Sequence, residues 1–403
     1  MLDGVSTLPR TEHSHMAQVH NAISVNPDSE AAGRALGQSM RTAFAGAAAD
    51  AVIVFASARH DYAKLLKALC EEAGTDVVVG SSSAGEFTQD HVGEGQVSAM
   101  GLRSSDMRFA IGVGRDISRD PTTAAAQVVS SFQGLRDGAA PYRSALVMTD
   151  ALAGHTDALV EELTLCTAGN YRFFGGGAGD DGLFQKTHVF AGRQALSDAV
   201  VALEILSDKP VGIGVAHGWE PAGPGLRVTE SDGMKLVSLN GLPAFDAFND
   251  HAQRTGQTFD RASPMSFFLH NVLGIKGPQG YRLRVPLSVQ EDGSVTCAAD
   301  VPEGSLVHVM KTSNESGLQA ARAATTAALH ALEGHRPGAA IVFDCVATRL
   351  RMGGVFQDEL AACARLLAPA GFVGCNTYGQ IARAEGQFGG FHNCTAVVCV
   401  LPD

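Results

Sequence analysis

A short glycine-rich segment recurs in this 403-residue chain, each time directly after an apolar run, and that recurrence limits the fold more than any other feature. Gly80-Ser81-Ser82-Ser83-Ala84-Gly85-Glu86-Phe87 follows Val77-Val78-Val79, and Gly374-Cys375-Asn376-Thr377-Tyr378-Gly379-Gln380-Ile381 follows Phe372-Val373. Both read Gly, two small or polar residues, Ser or Thr, one variable residue, Gly, Glu or Gln, and an apolar residue. Gly175-Gly176-Gly177-Ala178-Gly179-Asp180-Asp181, after Tyr171 to Phe174, is a looser copy. An apolar strand and a helical stretch stand upstream of each: Val52 to Phe55 with Tyr62 to Ala73, Ala145 to Met148 with Thr156 to Ala168, and Ile341 to Phe343 with Phe356 to Leu367. Strand, helix, strand and glycine turn predict an α/β, mixed α+β, fold with helices covering mixed sheets. The internal likeness points to duplication of one unit.

The length suits two or three domains. Hydrophobic residues at 45% against 18% charged describe a chain that buries a large core. A formal net charge of −12, with no Lys/Arg run, argues against generic nucleic-acid binding. The eight cysteines are scattered without a CxxC pair, which suits reduced thiols. No export signal or membrane span is legible, so a cytoplasmic location is expected.

Residues 1–25 read as an irregular tail, in which His13, His15 and His20 invite a metal reading that no neighbouring Cys or carboxylate completes. Ser29 is expected to cap a helix over 30–48 with Leu36, Met40 and Phe44 on one face. Thr187 to Ala191 and Ala199 to Leu206 read as an antiparallel hairpin. Pro221-Ala222-Gly223-Pro224-Gly225 is the strongest punctuation and divides the chain at residue 222. Residues 26–222 then form one α/β domain and 223–403 another, the second with Asn240-Gly241 as a hairpin turn and a long Ala-rich helix over 315–333.

In their order, GSSSAGEF, GGGAGDD, GVAHGW, LVSLNGLPAFDAF, FDCVATRL, GCNTYGQI and FHNCT resemble the FIST sensory proteins, with an N-terminal FIST domain over 26–222 and a C-terminal FIST domain over 223–403. Gln380 stands where that family commonly has Glu. The resemblance implies a ligand-sensing protein of bacterial signal transduction, without enzymatic activity, reporting to a histidine kinase or other signalling partner. Its sharpest form is a nitric-oxide sensor carrying non-covalent haem b. A sensor of amino acids or other small carboxylates without haem is the alternative, and a hydrolase or lyase using strand-end Ser, Glu and His is the second. Homo-oligomerisation stays open.

The glycine segments supply backbone N–H groups beside small hydroxyls at strand ends, a way to hold a carboxylate. The plainer reading is that the glycines only permit tight packing. The candidate ligand-binding residues are Gly80, Ser81, Ser82, Ser83, Gly85, Glu86, Gly176, Gly177, Asp180, Gly374, Asn376, Thr377, Tyr378, Gly379 and Gln380. Asp180 and Asp181 suit turn capping as well as cation binding. No catalytic residue is assigned, because Ser82 and Ser83 lack a GxSxG context and a base placed by sequence. His217, His392 and His188 are the candidate haem ligands, at most one being expected, with Cys345 and Cys375 as thiolate alternatives.

Overall fold

The computed structural model describes residues 17–136, 138, 140–278, 280–383 and 390–403. Its elements fall into three matching series. The first runs β1 (Gln18–Ser24), α1 (Ser29–Ala43), β2 (Ala51–Ser57), α2 (Tyr62–Ala73), β3 (Val78–Ser83), β4 (Glu86–Thr88), β5 (His91–Gly93) and β6 (Val97–Arg103). The second runs β7 (Met107–Arg115), α3 (Pro121–Ser130), β8 (Tyr142–Thr149), α4 (Thr156–Cys166), β9 (Arg172–Gly177), β10 (Val189–Ala191), β11 (Gln194–Leu196) and β12 (Ala199–Ser207).

The third begins with β13 (Gly212–Ala216) and is interrupted by residues 217–313. These hold β14 (Glu220–Pro221), β15 (Leu226–Asp232), β16 (Lys235–Leu239), β17 (Leu242–Pro243), α5 (Ala244–Thr255), α6 (Met265–Phe268), β18 (Leu273–Gly277), β19 (Gly280–Arg284), β20 (Pro286–Val289), β21 (Val295–Cys297) and β22 (Leu306–Lys311). It resumes with α7 (Asn314–His330), β23 (Pro337–Cys345), α8 (Val346–Met352), α9 (Phe356–Leu367), β24 (Gly371–Thr377), β25 (Gln380–Arg383), β26 (Phe391–His392) and β27 (Ala396–Pro402).

The described strands form four sheets, three of which share one plan: β1-β6-β2-β3-β10-β11, β7-β12-β8-β9-β25-β26 and β13-β27-β23-β24-β4-β5. Only the central pair of each is parallel. The hairpin that follows a glycine segment does not return to its own sheet. Residues 86–93 pair with β24, residues 189–196 with β3, and β25 with β9, so the three sheets exchange hairpins in a ring. Helix pairs cover the outer faces, as Leu36 and Met40 of α1 and Leu65 and Leu69 of α2 do over Val52 and Val54. The inner faces meet in one apolar core to which Phe55, Met148 and Phe343 contribute from matching positions. Phe55 and Phe343 meet edge to face at 5.5 Å. Burial of each such side chain stabilises the fold by about 1.5–3 kcal/mol, so the shared core holds the ring together.

The first glycine of each segment lies within a strand rather than in a turn. Gly80, Gly175 and Gly374 stand opposite Val54, Val147 and Val342 on the parallel neighbour. A Cβ there would come within 1.7, 2.0 and 2.1 Å of those valines' carbonyl oxygens. The chain reverses later, at Gly85 and Gly379, whose φ values of 133° and 111° favour glycine.

Four expectations are corrected by these placements. Gln18–Ser24 is not tail but an edge strand paired with β6, and His20 lies in it, while His13 and His15 fall outside the described residues. Asp28, not Ser29, caps α1, its side chain accepting from Ala31 N. Gly80–Ser83 and Gly374–Thr377 continue their strands. Residues 189–191 and 199–207 do not pair: β10 joins β3 and turns back into β11, and β12 lies between β7 and β8, because the chain changes sheet after Leu196. The Pro221–Gly225 punctuation marks the entry into the interrupting segment, whose nine strands form the fourth sheet over Phe248, Phe268 and Val309. Asn240 and Gly241, at φ 51° and 80°, make the tight turn between β16 and β17.

Candidate functional site

The three glycine segments, remote in sequence, meet where the hairpins cross. Ala84 N donates to Asn376 O (3.0 Å) and Asn376 N to Gly85 O (2.8 Å). Tyr378 N donates to Gly177 O (3.0 Å), Gly177 N to Gly379 O (2.9 Å), and Gly179 N to Ser82 O (3.0 Å). Of the candidate ligand-binding residues, Ser82, Gly85, Gly177, Asn376, Tyr378 and Gly379 are thereby brought together. The amides of Ala84, Asn376, Gly177, Tyr378 and Gly179 are bonded to carbonyls of the neighbouring segments and are not free to receive a carboxylate. Ser81, Ser82, Ser83, Glu86, Thr377 and Gln380 have no exposed surface. A buried strand junction, not an open anion cradle, is what these glycines make.

Within the junction one arrangement appears twice. Ser83 Oγ donates to Glu86 Oε1 (2.5 Å), and Gln96 N donates to Oε2 (3.0 Å). In the third series Gln380, with its amide oriented to satisfy its neighbours, accepts from Thr377 Oγ1 (2.9 Å) and Cys345 N (3.2 Å) and donates to Thr395 O (3.2 Å). Burial pushes Glu86 up to about 7, against the lowering by Ser83 and Gln96. Ser82 exchanges hydrogen bonds with the backbone of His188, so no histidine ring serves it as a base.

Between β9 and β10 an extra loop follows the glycines. Asp180 organises it, accepting from Phe184 N (2.8 Å), Gln185 N (2.6 Å) and Lys186 N (2.8 Å), and from the Tyr378 hydroxyl. Asp181 accepts from Ser57 Oγ (2.7 Å) and Ala58 N (3.0 Å), covering the end of β2. Both aspartates thus cap, Asp180 through both oxygens and Asp181 through Oδ2, its Oδ1 being buried without a partner.

The end of β23 is different. Asp344 and Glu359, each only 2% exposed, share a hydrogen bond. Burial pushes both carboxyls above the ordinary range, and for Glu359 the adjacent Asp344 charge adds to this. Cys345 N donates to Asp344 Oδ1 (2.6 Å), whereas Glu359 Oε2 has no partner. Arg351 reaches across without closing on that oxygen: it donates to Asn314 Oδ1 (3.0 Å) and lies over the Trp219 ring at 5.8 Å. These side chains line a pocket of about 10 Å³, the room one water needs. It adjoins a cleft of about 580 Å³ lined by Trp219, Lys311, Thr312, Ser313 and Gln319. Sequence reasoning singled out none of Asp344, Arg351 or Glu359. The available signal was a carboxylate inside the buried run Ile341 to Cys345.

The three candidate haem ligands do not come together, and two of the rings are engaged by backbone groups. His217 reaches the cleft, but its Nε2 bonds Tyr281 O (2.9 Å) and its Nδ1 accepts from Trp219 N (3.2 Å). His392 Nε2 bonds Ala382 O (3.3 Å), and burial pushes the ring down to about 4. His188 is half-buried, with an unpartnered Nδ1 and its ring against Tyr62 at 5.1 Å, beside Ser82. Cys345 and Cys375 are buried, at 3% and 0% exposure. Among the described residues no group of three or more His, Cys, Asp or Glu is placed to hold a metal ion.

A ring of exchanged hairpins with a polar cleft beside an interrupting sheet defines a mixed α+β protein. The FIST N domain matches residues 50–242 and the FIST C domain residues 244–383, and the chain belongs to the FIST family. The two matches meet inside the interrupting segment, and strands from both contribute to the ring's third sheet. The uncharacterized protein MJ1623 of Methanocaldococcus jannaschii is 26% identical over 168 residues, covering 40% of this chain and 32% of that protein. The match thus spans about a third of that protein's length. PurLQS from Thermotoga maritima aligns over 96% of this chain and 73% of its own at 13% identity, with a TM-score of 0.22 that carries no argument. Among the described residues no helix is long and apolar enough to cross a membrane.

Proposed function

We propose that this chain is a small-ligand sensor of signal transduction whose ligand occupies the cleft beside Trp219, and whose output is the position of the interrupting sheet. One observation carries the reading: the chain leaves the ring through His217-Gly218-Trp219 and returns through Lys311-Thr312-Ser313, and both strands of this hinge line the cleft. Thr312 Oγ1 donates to Gly218 O (2.8 Å), tying outgoing to returning chain. A ligand seated there touches both sides of the hinge and favours one placement of the sheet over another, which is a population shift with a defined mechanical element. A histidine kinase or other signalling protein would read the sheet's exposed surface.

Haem is not part of this reading, since the cleft's own histidine, His217, has both ring nitrogens engaged by backbone groups. Absorption spectra of protein from haem-supplemented cells are expected to lack a Soret band that moves with nitric oxide. The reading itself is tested by hydrogen exchange with a panel of small metabolites. A cleft ligand is expected to protect residues 217–220 and 311–316 and to change exchange across 221–310. Protection confined to the glycine junction would sink it.

A further inference from the structure

We propose that Cys345 and Cys394 are a redox pair, closed to a disulfide by hydrogen peroxide that enters from the cleft and reopened by a dithiol. The pair stands independently of which ligand fills the cleft.

Its placement is the first observation. Cys345 ends β23, and Cys394 stands just ahead of the antiparallel neighbour β27, in which Val397 lies opposite Phe343. Facing Cα atoms on such strands are about 4.5–5.5 Å apart, within the about 4.4–6.8 Å that a disulfide spans. The chain turns at Cys394, whose φ of 49° is one that a residue with a side chain seldom holds. The Cys394 thiol donates to the Cys345 sulfur, and the backbone N–H groups of Cys394 and Ala347 donate to the same atom.

Those hydrogen bonds, the one from Cys394 foremost, draw the Cys345 thiol below its ordinary value in spite of burial. Cys394, whose proton is engaged in that bond, is held well above its own. Burial pushes the other six cysteines up as well. The chain thus has one thiol poised to ionise, and a second thiol is its hydrogen-bond partner. An attacking and a resolving cysteine need that asymmetry.

Both side chains are buried, at 3% and 4% exposure, but Cys394 lines the small pocket that adjoins the cleft. With room for one water, the pocket passes a molecule no wider than water, which hydrogen peroxide is and a tripeptide disulfide is not. The Cys345 thiolate attacks one peroxide oxygen: an S–O bond forms, the O–O bond breaks, and the departing hydroxide takes the Cys394 proton as water. The Cys394 thiolate then attacks the Cys345 sulfur. The S–S bond forms, the S–O bond breaks, and the second hydroxide leaves as water with the proton that Cys345 gave up. Two thiols lose two electrons and two protons, and one peroxide becomes two waters. Both cysteines pack in one cluster with Trp219 and Met310, so the bond fastens the end of β23 beneath the hinge.

The full chain, reduced and freed of reductant, is treated with hydrogen peroxide or with glutathione disulfide, and its cross-links are mapped by mass spectrometry. Peroxide is expected to join the peptides that carry Cys345 and Cys394 before the other six cysteines react. Emission from Trp219, the one tryptophan in the chain, is expected to shift with the bond, and dithiothreitol to restore both. Glutathione disulfide is expected to leave the pair open. Cys394→Ser should prevent the bond and leave on Cys345 a sulfenic acid that dimedone traps, whereas Cys345→Ser should leave Cys394 unlabelled. A folded chain in which the exposed Cys166 oxidises and 345 never joins 394 overturns the proposal. So does dimedone labelling of Cys394 in Cys345→Ser, and closure by glutathione disulfide as fast as by peroxide overturns entry through the pocket. Mapping of the unaltered chain decides the matter even where a variant fails to fold.

Discussion

At the end of β3 Ser83 donates to Glu86, and at the end of β24 Thr377 donates to Gln380, so the first and third series close their glycine segments with one arrangement. The neighbouring central strands end differently. Ser57, last in β2, is covered by Asp181 from the loop after β9. Asp344, next to last in β23, faces a pocket instead, because the chain departs at residue 217 to build another sheet. The strand-end scaffold is common to both. A loop added in the second series seals one copy, and a sheet added in the third uncovers another. Activity in this ring is thus expected to follow the additions, not the repeated glycines.

The repeated part is where substitutions should hurt most. Gly80→Ala and Gly374→Ala would each drive a methyl into a backbone oxygen of the adjacent strand, which neither strand can yield without losing its ladder. A loss of about 3 kcal/mol or more is expected for each by chemical denaturation. If either is tolerated, the matching glycines do not serve the same packing need. Gln380→Glu is the next largest, about 2 kcal/mol at pH 8, since a carboxylate cannot donate to Thr395 O and meets it as a second acceptor. An unchanged midpoint would show that Gln380 and Glu86 are interchangeable after all.

Much of this ring was legible from residues alone. Tyr62–Ala73 and Phe356–Leu367 follow from helical periodicity, and the doubled glycine segments from direct likeness. The exchange of hairpins was not, because Glu86–Thr88 pairs with Val373–Cys375, nearly three hundred residues on, and a three-residue strand carries no mark of which edge it will join. The carboxyl pair escaped for a related reason. Asp344 sits in a strand and Glu359 on a helix fifteen residues later, and only packing of α9 against β23 brings them together. The glycine amides misled because free N–H groups were assumed at strand ends that other strands fill.

The smallest expected effect discriminates best, because it changes sign with pH. Glu86 has its acid form favoured by burial, with its carboxyl raised to about 7 from an ordinary 4.5. Its stabilising contribution is whole below that ordinary value and is lost as pH rises through about 7. Glu86→Gln removes this titration, but its amide sets an N–H against the Gln96 N–H that the carboxylate satisfied. At pH 5 the variant should therefore be less stable than the parent by about 1 kcal/mol. At pH 8, where the parent bears a buried charge, the variant should be equal or more stable, by on the order of 1 kcal/mol. The Asp344–Glu359 pair shifts in the same direction and will leave a slope common to both proteins, so the difference between them is the quantity to follow. A difference that stays constant from pH 5 to pH 8 would mean that Glu86 is held ionised by Ser83 and Gln96 throughout. The first and third series would then differ in charge as well as in residue, and the resemblance between their strand ends would be one of shape only.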